Sequence, residues 1–228
     1  MTIFRYTLIR SFGNKTNLLF LTLFPVICIF LPQGEPWPPL PYGYQYFGIV
    51  MLFVGIRLAT LIIEDRVNGV VKRLAIAPIS YLHYLSGHLL AYAVIMVLQC
   101  VIVVYGGVAI GRELAQPHLL LLLYVSYSFV ALAIALAWVS IFRSKDTAFL
   151  VYMSLIFFMS ILGGLIIPLE MFPDLLKRLA VLMPTYWLER GLDWLVYGER
   201  MADYWIVQGV LWLYTILFVT IGSFKKLY

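Results

Sequence analysis

The chain predicts an all-α membrane protein, and three observations carry that prediction. Apolar residues make up 63% of its 228 residues and charged residues only 12%. One soluble core of this size could not hide so much apolar surface, whereas a bilayer accommodates it at little cost. The mean hydropathy is +0.95. Finally, the apolar residues gather into separate runs, divided by short segments that hold nearly all of the charge.

From the N-terminus, Ile3 to Phe12 sets apolar clusters around Arg5 and Arg10. That pattern suits a helix over residues 1–16 lying in the membrane interface, its arginines reaching anionic headgroups. Spans are expected at 17–31, 44–63, 85–110, 118–142, 147–167 and 204–224. A helix needs about 20 apolar residues to cross about 30 Å of hydrocarbon, so the last five qualify outright. The first is short and contains Pro25, and needs helical extension back through Asn14. Reading it as the core of a signal peptide requires a small-x-small cleavage site, and Leu-Pro-Gln-Gly-Glu-Pro-Trp-Pro-Pro follows instead.

The connection after the second run begins with Glu64 and Asp65, which end that span, and Asn68-Gly69, which offers a bend. Val70, Leu74 and Ala77 then fall at i, i+4 and i+7, one apolar stripe, with Lys72 and Arg73 directed elsewhere. Pro78 stops this short helix, and Ser80 suits the N-cap of the next. A two-turn helix is marginal in water, so headgroups or a protein surface must hold it. After the fifth run, residues 168–196 read as two short helices. Asp174 sits in the first turn of one, with Leu175, Leu176, Leu179 and Leu182 on one face and Pro184 ending it. The second runs from about Tyr186 to Val196.

Basic residues set the orientation. Arg5, Arg10, Lys15, Arg66, Lys72, Arg73, Arg143, Lys145, Lys225 and Lys226 fall on one side, against Glu64, Asp65 and Asp146. The other side holds Arg112, Lys177, Arg178, Arg190 and Arg200 among the remaining acids. Both termini are therefore expected in the cytoplasm. Arg57 lies within the second span, about two turns before Glu64, where a charge must snorkel, pair or line a water-filled path. Gln99, inside the third span, reads most simply as an interhelical hydrogen bond. Cys28 and Cys100 lie in apolar runs, so neither a disulfide nor a metal site is expected. No Gly-x-x-x-x-Gly-Lys-Ser/Thr loop occurs, so the chain has no phosphate cradle of its own.

Two stretches carry a resemblance. Glu64, Gly69, Arg73-Leu74, Pro78-Ile79-Ser80, Gly87 and Gln99 occur in the order seen in type-2 ATP-binding-cassette (ABC) exporter permeases, across the cytoplasmic coupling helix and the span after it. The run Gly163-Gly164-Leu165-Ile166-Ile167-Pro168-Leu169-Glu170-Met171-Phe172-Pro173, followed by Leu182-Met183-Pro184-Thr185-Tyr186, is similar to the end of that family's fifth span and its external helix. Val70-Val71 and His88 depart from the common pattern, where Thr and Lys are frequent.

The resemblance implies six transmembrane helices, an N-terminal interfacial helix, a coupling helix over residues 66–78 and short external re-entrant helices between spans five and six. It implies a non-catalytic permease that works with a second permease chain, identical or related. ATP and Mg would be bound by two separate cytoplasmic ATPase subunits. Those would dock on the coupling helix through Glu64, Asp65, Arg66, Gly69, Lys72, Arg73, Leu74 and Pro78. Pathway or gate candidates are Arg57, Gln99, Gly163, Gly164, Pro168, Glu170, Phe172, Pro173 and Pro184. The location implied is a prokaryotic cell membrane, and no nucleic-acid partner is expected. The expected cargo is amphipathic (a drug, an antimicrobial peptide or a lipid-like molecule), with glycan export as the alternative. An ion-coupled carrier or channel would call for several buried acids in the spans, where only Arg57 stands clearly charged. A lipid-modifying enzyme would call for a clustered site, and His83, His88 and His118 are scattered.

Overall fold

The computed structural model describes residues 2–13, 18–34, 37–70, 81–142 and 144–224, and the regular elements among them are all helical. In chain order these are α1 (Thr2–Gly13), a π turn (Leu19–Leu23) running into α2 (Phe24–Phe30), α3 (Tyr42–Val67), α4 (Tyr81–Ala109), α5 (Pro117–Ile141) and α6 (Lys145–Leu162). A 3-10 turn (Leu169–Met171), α7 (Asp174–Ala180), α8 (Pro184–Tyr197) and α9 (Met201–Phe224) follow. Among the described residues, five segments are long and apolar enough to cross a bilayer: Tyr42–Asp65, Gly87–Ala109, Pro117–Ile141, Lys145–Leu162 and Met201–Gly222. The expected first span is present as the shorter apolar helix Leu21–Phe30, about 15 Å of rise against the roughly 30 Å of a hydrocarbon core.

Helix α5 is the centre of the bundle, packing against α9, α3 and α4. Its Leu123, Tyr124, Tyr127, Val130, Ala131 and Ala135 are buried. Close approach follows from small residues: a Cβ on Gly55 of α3 would sit 3.0 Å from the Ala131 carbonyl of α5. Tyrosines inside the bundle bridge helices through their hydroxyls, since an apolar interior offers backbone carbonyls and little else. Tyr124 donates to the Tyr44 carbonyl at 2.7 Å, and Tyr204 donates to the Leu119 carbonyl at 2.7 Å. Only 17% of the α9 span and 33% of the α6 span is buried within the chain. These two helices therefore give most of their apolar surface to lipid or to another chain.

The junction between the π turn and α2 contains a proline whose effect on the backbone is compensated from a neighbouring helix. Pro25 has no N–H to give the carbonyl four residues back, Leu21, and Gln99 Nε2 of α4 donates to that carbonyl at 3.0 Å. At the other end of α2, Arg112 holds the last carbonyls, Nε to Ile29 at 3.1 Å and Nη2 to Leu31 at 3.2 Å.

Three boundaries differ from the sequence expectation. Helix α3 does not end at Glu64-Asp65: it runs through Arg66 to Val67, so residues 66 and 67 of the expected coupling helix belong to α3. The break comes at Gly69, whose φ of +70° only glycine adopts easily. The fifth span stops at Leu162 rather than 167, because Gly163 caps α6 and Gly164, at φ +88°, turns the chain away. Finally, Pro184 starts α8 at its first turn instead of ending α7, which stops at Ala180; a proline's missing N–H costs nothing in a helix's first turn. Residues 71–78 of the expected coupling helix, with Lys72, Arg73, Leu74 and Pro78, lie outside the described residues, as does Ser80.

Candidate functional site

Polar groups gather at two ends of the bundle. The basic one gathers α1, the end of α3 and the starts of α4 and α6, and is held by a knot of charge. Arg10 of α1 bonds both acids of α3, Nη2 to Glu64 at 3.0 Å and Nη1 to Asp65. Lys145, at the first turn of α6, pairs with Glu64. His88 of α4 brings Nε2 to 3.8 Å from Asp65, and its Nδ1 faces the Thr7 hydroxyl of α1 at 3.0 Å. Gly87 lets α1 lie close: a Cβ there would meet Ile3 at 2.9 Å. Asp65 is only 5% exposed, and a carboxylate buried that far must be paired.

Helix α1 settles against this knot with its polar face inward. Thr7 and Ser11 are buried, whereas Tyr6, Ile9 and Phe12 are exposed. Arg5 is exposed, whereas Arg10 is turned into the protein and pairs with acids rather than with the headgroups expected for it. The sequence reading treated Glu64 and Asp65 as docking acids; both now have intramolecular partners. The signal for this was present, since Glu64-Asp65 is an acidic pair at the end of an apolar run, and Arg10 and His88 are polar interruptions of apolar stretches. Nothing local paired them.

The expected pathway residues scatter. Arg57 lies partly buried within α3, and Gln99 serves the carbonyl freed by Pro25. Gly163 and Gly164 shape the turn after α6. Thr185 of α8 donates to the Met159 carbonyl at 2.6 Å and fills the space a Gly163 side chain would need, while a Cβ on Gly164 would meet Leu169 at 2.8 Å. Pro168, Glu170, Phe172 and Pro173 line the link into α7, whose Leu175, Leu176 and Leu179, with Leu182 just beyond, are all exposed.

The opposite end contains a cavity the sequence reading missed. It measures about 810 Å³ and lies between the Trp37–Pro39 segment, the turn Pro168–Met171 and α8. Among the described residues three acids line it and no basic residue does: Glu170 from the turn, Glu189 and Asp193 from α8. Among the described residues none of the three forms an ion pair. Glu189 is 3% exposed and sits on the face of α8 that buries Thr185, Leu188, Leu192 and Leu195. Gln45 of α3 donates to it through Nε2. Burial, and then the charge of Asp193, push the Glu189 carboxyl up to about 8 against the hydrogen bonds from Gln45 and Trp37. Burial and Glu170 raise Asp193 to about 6. A signal did exist: Glu189 interrupts an apolar stripe at helical spacing.

Among the described residues no group of three metal-ligating side chains stands close enough to hold a metal ion, and Cys28 and Cys100 are free and buried. The family model of the ABC-2 family transporter protein matches residues 41–224. The Bacillus subtilis (strain 168) protein named "Putative transport permease YvfS" is 23% identical over 188 residues, covering 80% of this chain and 73% of that protein. Bundle, apolar spans and family match agree: the chain belongs to the ABC-2 transporter family, as a membrane-embedded permease of that type.

Proposed function

We propose that this permease is the passive half-pathway of an ATP-driven exporter, pairing with a second permease chain and worked from below by two separate ATPase subunits. The observation that carries this reading is the charge knot. It fastens α1, α3, α4 and α6 to one another at the root of the segment 66–78. A force applied to that segment by a docked ATPase would therefore move four helices together, a rigid element biased between two states by ATP. In this arrangement Arg66, Gly69, Lys72, Arg73, Leu74 and Pro78 meet the ATPase, and Glu64 and Asp65 brace them from behind.

The basic end then faces the cytoplasm with both termini, in keeping with the distribution of lysine and arginine. The π turn and α2 contribute the sixth span. The exposed leucines of α7 favour a helix that dips into the outer leaflet, and the turn at Gly163-Gly164 forms an outer gate with Pro168, Glu170, Phe172, Pro173 and Pro184. Arg57 and Gln99 remain the polar candidates along the path. The broad apolar faces of α6 and α9 suit a second permease and lipid, and the cargo is an amphipathic molecule. Arg73→Glu should leave the chain folded while lowering co-purification of the ATPase, measured with the subunits co-expressed. Undiminished co-purification would remove the docking assignment.

A further inference from the structure

We propose that the cavity between Trp37, the turn Pro168–Met171 and α8 binds an amphipathic organic cation, with its charge held by Glu189 and Asp193 and its apolar body against Trp37 and Tyr197. The proposal rests on the export reading, in which this end of the bundle is the exit side.

Four observations converge on that ligand. The volume, about 810 Å³, falls in the range of drug-sized sites. The three acids lie at three depths: Glu170 exposed at the rim, Asp193 half-buried, Glu189 buried at the base. Carboxylates without a basic neighbour are costly to keep together, and a cationic guest removes that cost. Behind Glu189, the fully buried Gln45 spends its Nε2 on that acid, and its Oε1 has no hydrogen-bond partner among the described residues. The acids do not converge as a metal site would, whereas Trp37 and Tyr197 offer the aromatic faces that attract a diffuse organic cation. Pro39, Pro168, Leu169 and Met171 complete an apolar wall. Apolar wall, aromatic faces and three acidic side chains together describe a cationic amphiphile better than a metal ion, an anion or a neutral lipid.

The test uses the purified full chain in lipid nanodiscs, without ATPase, and tetraphenylphosphonium as probe. Tetraphenylborate, the anion of the same shape, and empty nanodiscs serve as controls. Saturable binding of the phosphonium and not of the borate is expected, with affinity about tenfold weaker in the Glu170→Gln/Asp193→Asn double variant. Both positions are at least partly exposed, so that variant should fold; Glu189→Gln, with the same expected direction, is the stronger perturbation. Binding no greater than to empty nanodiscs, equal binding of the borate, an unchanged affinity in the double variant, or calcium binding in place of the phosphonium would each overturn the proposal. The export reading is judged separately by ATPase co-purification, so failure of the cavity leaves it standing and its failure leaves the binding result intact.

Discussion

Replacing Arg10 with Met removes the cation shared by Glu64 and Asp65 without shortening the side chain much. The geometry sets the size of the effect. The Asp65 side chain is only 7% exposed and Arg10 27%, so the variant takes a charged partner away from a nearly buried carboxylate. Stranding one member of a fully buried pair costs about 3–5 kcal/mol; the partial exposure of Arg10 brings the expectation to about 2–3 kcal/mol. Lys145→Met is the internal control. Lys145 is 36% exposed, and Glu64 keeps Arg10, so that loss should stay below about 1 kcal/mol. Adding Asp65→Asn to Arg10→Met removes the carboxylate that Arg10 neutralises, and the double variant should cost less than the sum of the singles by about 1–2 kcal/mol. Unfolding midpoints of the four purified proteins in one detergent supply the numbers, and limited proteolysis of α1 reports whether that helix has come loose. Equal losses for Arg10→Met and Lys145→Met, or a strictly additive cycle, would show that the knot does not hold these helices together.

Three further outcomes follow from the same structure. Gln99→Leu should cost about 1–2 kcal/mol by orphaning the Leu21 carbonyl, and distinctly less in a Pro25→Ala background, where the helix supplies its own donor; equal losses in both backgrounds, by thermal unfolding, would refute the link. Gly164→Ala should destabilise by about 1–2 kcal/mol, since its φ of +88° is strained for any side chain and a Cβ would press on Leu169; an unchanged melting curve would remove the turn argument. Glu189 gives a pH dependence of known sign. Its carboxyl is raised to about 8 in the fold, so the folded chain holds a proton that the unfolded chain releases from about pH 4.5 upward. Stability from this group is complete below that pH and is lost as pH rises toward 8, by up to about 1.4 kcal/mol per unit. Glu189→Gln should flatten that slope in a pH series of unfolding midpoints, and an identical slope in the variant would refute it.

Much of the fold was legible because membrane insertion reads a summed property. Five long apolar runs predicted the five helices long enough to cross, and Gly69 marked the end of α3 as the bend it was taken for. Where the reading slipped, two structures share one local signal. Gly163-Gly164 followed by Leu-Ile-Ile continues an apolar run whether the chain stays helical or turns, so hydropathy carried the fifth span five residues too far. Pro184 serves equally to stop a helix before it or to start one after it, and only the backbone at Met183, extended with φ −95° and ψ 132°, decides for a start.

The candidate sites were less legible. Glu64 and Asp65 stood out as charge beside apolar sequence, which looks the same whether the charge waits for a partner protein or already has a partner within the chain. Glu189 and Asp193 were counted only as acids on the external side.

The sequence by itself determined the solvent this chain folds in, the placing of its long helices and the asymmetry of charge between its ends, because each depends on residues adjacent in the chain. The tertiary structure alone decided which polar groups meet. Arg10 reaches Asp65 across 55 positions and Gln45 reaches Glu189 across 144, distances over which periodicity carries no information. Those pairings follow from the packing of α1, α3 and α8, and burial is what makes them obligatory: a charge or an amide removed from water takes whatever partner the neighbouring helix presents.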